Sequence, residues 1–257
     1  MIRIGVCSSI DNIAKVQKAG FDYLEGNLSA IYSMSDDEFE RACAIVDASP
    51  IKVETTNCLL PGSVKVTGPD VNTQGLHDYI EKAFARAARL GVKVCVFGSS
   101  GARRIPEGFD TAQGWRQVAN FLRLLEKHAA ENDIMIAIEP LRAMESNILN
   151  YVSEATLLAS LVNMPHIGVL GDTYHMAMGH ESWNVFKMAG PLLKHVHVAC
   201  AIKRACPKKG DGEHYDELFK ILTEAGYEGR VSIEAHYDDF DTEMPIGFAA
   251  LDEARRA

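Results

Sequence analysis

Eight short apolar runs alternate with eight amphipathic segments from one end of the chain to the other. The runs cover residues 2–7, 22–25, 52–56, 93–97, 134–139, 167–172, 194–198 and 230–234. Most are nearly continuous in Val, Ile, Leu, Met or Ala, which marks strands covered on both faces, as in parallel sheets. The helical patterns fall at 11–19, 36–48, 77–90, 115–132, 153–162, 181–189, 215–225 and 248–256. Their ends carry matching signals: Gly20 and Gly91 follow helical runs as left-handed stop residues, acidic Asp36 and Asp37 open one, and Ser153 can cap another. Strict alternation implies right-handed βαβ units. Eight such units in 257 residues predict an α/β fold, a (β/α)8 TIM barrel closed by pairing strand eight with strand one. A doubly wound sheet would announce itself by a Gly-rich phosphate turn after strand one, where this chain reads Cys7-Ser8-Ser9-Ile10-Asp11. No linker or composition break interrupts the pattern, so residues 1–257 read as a single domain.

Composition changes this picture only at the edges. Apolar residues make up 47% and charged residues 24%, ordinary globular values. The 35 acidic against 26 basic residues give a net charge of −9, without the basic footprint of a nucleic-acid binder. No apolar run is long enough to span a membrane, and the N-terminal run is too short for a signal peptide. The six cysteines form no C-x-x-C pair and several sit in apolar runs, pointing to a reducing, cytoplasmic setting. A homo-oligomer is compatible with all of this.

The charged residues at the strand ends are more informative. Strand five ends in Glu139, strand six in Asp172 and strand eight in Glu234, and strand seven carries His197 near its end. Four consecutive strands thus place an ionisable group at the C-terminal mouth, where barrel enzymes keep their active sites. Buried carboxylates are costly unless they are paired or coordinate a metal, and one divalent cation ligated by all four would cancel much of their charge. Three carboxylates and one imidazole favour Mn²⁺, Mg²⁺ or Co²⁺, with Zn²⁺ also accommodated. His175, three residues beyond Asp172, and Glu145, six beyond Glu139, are candidate substrate contacts, as are Glu25 and Asn57 at the ends of strands two and three. His195 shares a strand face with His197 and is expected deeper in the barrel as a hydrogen-bonded core histidine. The turn Gly98-Ser99-Ser100-Gly101-Ala102-Arg103-Arg104 after strand four combines small residues with two arginines that could bind an anion. Lys203, Arg204, Lys208 and Lys209 could do the same after strand seven.

At the segments IEPLRAMESN, GDTYHM, HVHVA and SIEAH the chain resembles the xylose-isomerase-like TIM barrels, above all the ketose epimerase and hydroxypyruvate isomerase group. The resemblance implies one divalent metal, Mn²⁺ foremost, held by Glu139, Asp172, His197 and Glu234. It also implies substrate contacts at Glu145 and His175, and an arginine contact that falls at Lys203 or Arg204. The chain departs from the ketose epimerases at Cys200, where they have Glu, and around Arg142, where they have Asn. Endonuclease IV shares the four ligands but needs further histidines after strands three and four, where this chain has Thr56-Asn57 and Phe97-Gly98-Ser99.

The function implied is a metal-dependent isomerase or epimerase of a small sugar, sugar phosphate or hydroxy-carbonyl compound. Glu139 and Glu234 would be the proton-transferring pair and the metal a Lewis acid for the enediolate. A dehydratase of a cyclic polyol or dehydroshikimate-type substrate would use the same site. An endonuclease IV-like nuclease and a non-catalytic sugar-binding protein are the weaker alternatives.

Overall fold

The computed structural model describes all residues, 1–257. In chain order the elements are β1 (Arg3–Cys7), α1 (Ile13–Lys18), β2 (Tyr23–Asn27), α2 (Leu28–Ser33), α3 (Asp36–Ala48), β3 (Val53–Asn57), α4 (Thr73–Leu90), β4 (Val94–Phe97) and α5 (Ser100–Arg103). There follow α6 (Thr111–Asn132), β5 (Met135–Ile138), α7 (Val152–Val162), β6 (Ile167–Asp172), α8 (Thr173–Met178), α9 (Val185–Ala189), β7 (Leu193–Val198), α10 (Tyr215–Glu224), β8 (Arg230–Ile233) and α11 (Phe240–Arg256). All eight strands pair in sequence order and in parallel, and β8 closes on β1, so the expected (β/α)8 barrel is present. No helix is long and apolar enough to cross a membrane.

The boundaries shift where polar caps carry the information. α4 begins at Thr73 and α6 at Thr111, each four residues before the apolar periodicity starts. Asn72 caps the first by accepting from Gly75 N at 3.0 Å, and Asp110 caps the second by accepting from Gln113 N at 2.6 Å. α11 starts at Phe240, not 248, with Asp239 as its cap and Pro245 inside it. The pattern of apolar positions shows none of α2, α5 and α8, which follow β2, β4 and β6 within two residues and line the C-terminal rim.

Two apolar layers result. A cluster of 64 buried residues fills the space between the barrel and its helices, while Val94, Val96, Ala137 and Leu170 form a separate packing layer. Strand alternation assigns that smaller set to the barrel interior. The Tyr23 ring lies against Gly5, leaving no room for a Cβ there, and its hydroxyl meets Ser232 Oγ at 2.7 Å. Above this plug the interior turns polar, with Glu25, Thr55, His195 and His197.

Candidate metal centre and active site

β5 and β8 each end one residue earlier than the apolar runs, so Glu139 and Glu234 are the first residues beyond their strands. Each remains tied to its neighbouring strand: Glu139 N donates to Phe97 O at 3.2 Å and Glu234 N to Val198 O at 3.1 Å. Asp172 closes β6 and also caps α8, its Oδ1 accepting from Tyr174 N and His175 N at 2.7 and 3.1 Å. That leaves Oδ2 for the site. His197 stands in β7, fully buried, and its Nδ1 is the point on which the carboxylates converge. It lies 3.1 Å from Glu234, 3.3 Å from Glu139 and 4.0 Å from Asp172.

One ligating atom from each of the four residues lies within 4.8 Å of the others. Donors bound to one ion at about 2.1 Å sit about 3 Å apart when adjacent, so the set fits a single small divalent cation. The chemistry of the histidine agrees. Its Nε2 lies 2.9 Å from Glu25 Oε1, and a proton held there leaves the Nδ1 lone pair free for a metal. The other two groups of ligating side chains, Glu25–His195–His197 and Cys7–His197–Glu234, both contain His197, so the mouth offers one centre.

Glu25 is therefore not placed as a substrate contact. It is completely buried, and its second oxygen accepts from Thr55 Oγ1 and lies against His195 Nε2, both at 2.7 Å. The apolar surroundings push its carboxyl up, but the His197 and His195 charges outweigh them and hold it well below the usual carboxylate range. His195 is the deep hydrogen-bonded histidine expected from its strand face.

The remaining expected contacts divide. His175 is buried, with Nδ1 accepting from Arg142 N at 3.3 Å and Nε2 3.9 Å from Asp172 Oδ2. Asn57 reaches the site through Glu234, donating from Nδ2 to Oε1 at 2.9 Å. Its Oδ1 is buried without a partner. Glu145 stands at the rim, paired with Arg142 Nε at 2.6 Å. Of the two basic residues after β7, Arg204 is brought to the ligands and Lys203 is not. Arg204 Nη2 contacts Asp172 Oδ2 at 2.9 Å and also pairs with Glu234 Oε2, while Lys203 is exposed. Both Arg204 and Arg142 stack on the Tyr174 ring, at 5.1 and 5.2 Å.

Sequence reasoning missed two participants and assigned a third to the wrong role. Cys7 ends β1 and its thiol joins His197 and Glu234, a position open to the same strand-end logic that found the acids. Tyr174 had no signal beyond its adjacency to His175. Arg103, expected to bind an anion, instead turns inward and is wholly buried.

The two glutamates differ in proton affinity. Burial, together with the charges of Glu234 and Asp172, raises the Glu139 carboxyl, with His197 working against them. Glu234 is also pushed up by burial, but His197 and then Arg204 bring it down to about 2. Burial alone would discharge His197. The Glu25 and Glu234 charges reverse this and raise it well above the ordinary imidazole value.

A family model described as the xylose isomerase-like TIM barrel matches residues 13–256. A probable ketose 3-epimerase from Synechocystis sp. is 27% identical over 203 residues, which is 76% of this chain and 68% of that one. D-psicose 3-epimerase from Agrobacterium fabrum is 26% identical over 231 residues, 86% of this chain and 77% of the relative. Hydroxypyruvate isomerase from Escherichia coli is 28% identical over 163 residues, 61% of this chain and 60% of the relative. Among solved structures, 3-keto-D-glucoside 4-epimerase from E. coli superposes with a TM-score of 0.84 at 21% identity, covering 98% of this chain and all of that one. D-psicose 3-epimerase from Clostridium cellulolyticum superposes at 0.86 and 20% identity, covering 99% of both chains. The chain belongs to the xylose isomerase-like TIM-barrel family, among relatives that are sugar epimerases and isomerases.

Proposed function

We propose that the protein is a divalent-metal-dependent isomerase or epimerase of a small sugar, sugar phosphate or hydroxy-carbonyl compound, acting by proton transfer through an enediolate. The observation that carries this reading is the convergence of Glu139 and Glu234, from opposite ends of the β5–β8 arc, on one imidazole nitrogen at 3.3 and 3.1 Å. Glu139, Asp172, His197 and Glu234 would hold one ion, Mn²⁺ before Mg²⁺, Co²⁺ or Zn²⁺. When bound, the ion supplies Lewis-acid charge for the oxyanion that develops on the substrate.

Glu139 and Glu234 are the catalytic pair. One removes the proton α to the carbonyl, and the other returns a proton to the neighbouring carbon or to the opposite face. Surroundings that push two carboxylates apart in proton affinity are the usual way to divide such roles, and in the metal-free site burial raises Glu139 while His197 and Arg204 lower Glu234. Each keeps a second oxygen off the His197 nitrogen: Oε1 of Glu234 rests on the Asn57 amide, and Oε2 of Glu139 lies over Gly98. His175 Nε2 orients a substrate oxygen, Arg204 sets the Glu234 and Asp172 carboxylates, and the Glu145–Arg142 pair receives distal hydroxyls at the rim. Glu25 fixes the His197 ring. The ketose epimerases and the hydroxypyruvate isomerase among the relatives support a small polyhydroxy-carbonyl substrate.

The test incubates the protein with a panel of ketoses, sugar phosphates and hydroxypyruvate, with Mn²⁺ or with EDTA, and identifies products by NMR. An isomer or epimer formed with Mn²⁺ and absent with EDTA is expected. A dehydrated product with a conjugated absorbance, or no product from the whole panel, overturns the proposal.

A further inference from the structure

We propose that the turn after β4 is a cradle for the Glu139 carboxylate: Arg103 is a positioning residue acting through the Glu139 backbone, and Gly98 leaves the space that the carboxylate occupies. This rests on the reading of Glu139 as a metal ligand.

Arg103 is the largest fully buried side chain in the protein. A buried guanidinium is costly, and it is ordinarily held by a carboxylate. Arg103 has no carboxylate partner. Its Nη1 donates to Phe97 O at 2.7 Å, its Nη2 donates to Glu139 O at 2.5 Å, and its Nε has no partner. Phe97 O also accepts from Glu139 N, the last rung between β4 and β5. The peptide groups on both sides of the Glu139 Cα are thereby fixed, one on the neighbouring strand and one on the guanidinium. The direction in which the side chain leaves the barrel wall follows from that.

Gly98 settles where the side chain goes next. A Cβ on residue 98 would lie 1.9 Å from Glu139 Oε2 and 3.1 Å from its Cδ. Any other amino acid takes the place of the carboxylate. The clash is with the far end of a flexible side chain, so a methyl group there evicts the carboxylate and leaves the backbone undisturbed.

The turn itself is anchored. Ser99 Oγ accepts from Leu60 N at 2.9 Å, Ala102 O accepts from Val66 N at 2.8 Å, and Gly101 packs directly on the Gly62 backbone. The small residues and the first arginine of this turn thus serve the metal ligand, and no anionic ligand is needed to account for them.

The experiment titrates Mn²⁺ into the full-length protein, reads free Mn²⁺ by EPR, and records a melting curve for each variant. Gly98→Ala is expected to melt close to wild type yet bind Mn²⁺ at least about tenfold more weakly, the usual effect of losing a group that orients a ligand. Arg103→Met is expected to weaken binding by a similar factor, and Arg103→Lys to recover part of it. Should Arg103→Met fail to fold, Gly98→Ala decides alone. Mn²⁺ affinity within twofold of wild type in Gly98→Ala overturns the cradle. Glu139→Gln separates the two claims. If it weakens Mn²⁺ binding while Gly98→Ala does not, the cradle fails and the ligand reading stands. If Glu139→Gln leaves binding unchanged, the ligand reading fails and the cradle with it.

Discussion

Replacing Glu25 with Gln keeps the volume of the side chain and removes its charge, at a position with no solvent access. The carboxylate meets three partners, His197 Nε2 at 2.9 Å and His195 Nε2 and Thr55 Oγ1 at 2.7 Å. A neutral amide cannot accept from all three, and its NH₂ would face an imidazole N–H. Breaking a buried charged pair by removing one partner costs about 3–5 kcal/mol. For a domain of this size each kcal/mol moves the melting temperature by about 2–4 °C, so a fall of roughly 6–20 °C follows. The second consequence is chemical. With Nε2 no longer held by a carboxylate, the His197 ring loses both its orientation and the tautomer that frees Nδ1, and Mn²⁺ affinity should drop about 10- to 100-fold. Differential scanning calorimetry in EDTA gives the first number and isothermal titration with Mn²⁺ the second. A variant that melts within 2 °C of wild type (~2 °C, under one kcal/mol) and binds Mn²⁺ equally well would refute the role assigned to Glu25. If it lost only substrate turnover, Glu25 would instead be a substrate contact.

Two further predictions follow from the site. Arg204→Met should reduce turnover by at least about tenfold, since it removes the cation that contacts Asp172 and Glu234, whereas Lys203→Met should leave turnover unchanged; steady-state kinetics on the two variants checks the contrast. Cys58 is exposed, yet crowding by the surrounding protein, then the Glu234, Glu139 and Glu25 charges, push its thiol up from 9.0 to about 11. At pH 8 it should therefore carry about a hundredfold less thiolate than an ordinary cysteine, and its alkylation by iodoacetamide should rise steeply between pH 8 and 11; peptide mass spectrometry of protein alkylated at several pH values measures this, and fast reaction at pH 8 contradicts it.

The barrel was readable in the sequence because parallel barrel strands are buried on both faces, which makes them near-continuous apolar runs. The candidate metal ligands were readable because Glu139, Asp172 and Glu234 interrupt that apolarity where each apolar run ends. Glu25 closes its apolar run in the same way, although β2 itself continues to Asn27, so sequence position could not separate it from the candidate ligands or from a substrate contact. Its role comes from the His195 and His197 rings that reach across the barrel from β7. The neighbours Lys203 and Arg204 carry equal charge and sequence alone does not separate them; in the folded loop only Arg204 reaches the carboxylates. Helices α2, α5 and α8 span six, four and six residues, too short to show a helical period. The role of Arg103 is not legible in the sequence for a general reason. An arginine in a Gly-rich loop looks like an anion site, and its use as a clamp on two carbonyls depends on contacts remote in sequence.

The central claim is that this mouth moves a proton on carbon. Wild type and Glu139→Gln should be incubated with the panel of ketoses, sugar phosphates and hydroxypyruvate in D₂O with Mn²⁺, and deuterium at the carbon α to the carbonyl read by NMR. Incorporation by wild type, abolished by EDTA and by Glu139→Gln, is the predicted result. No incorporation into any substrate, or incorporation that persists without the metal or without the Glu139 carboxylate, would contradict it.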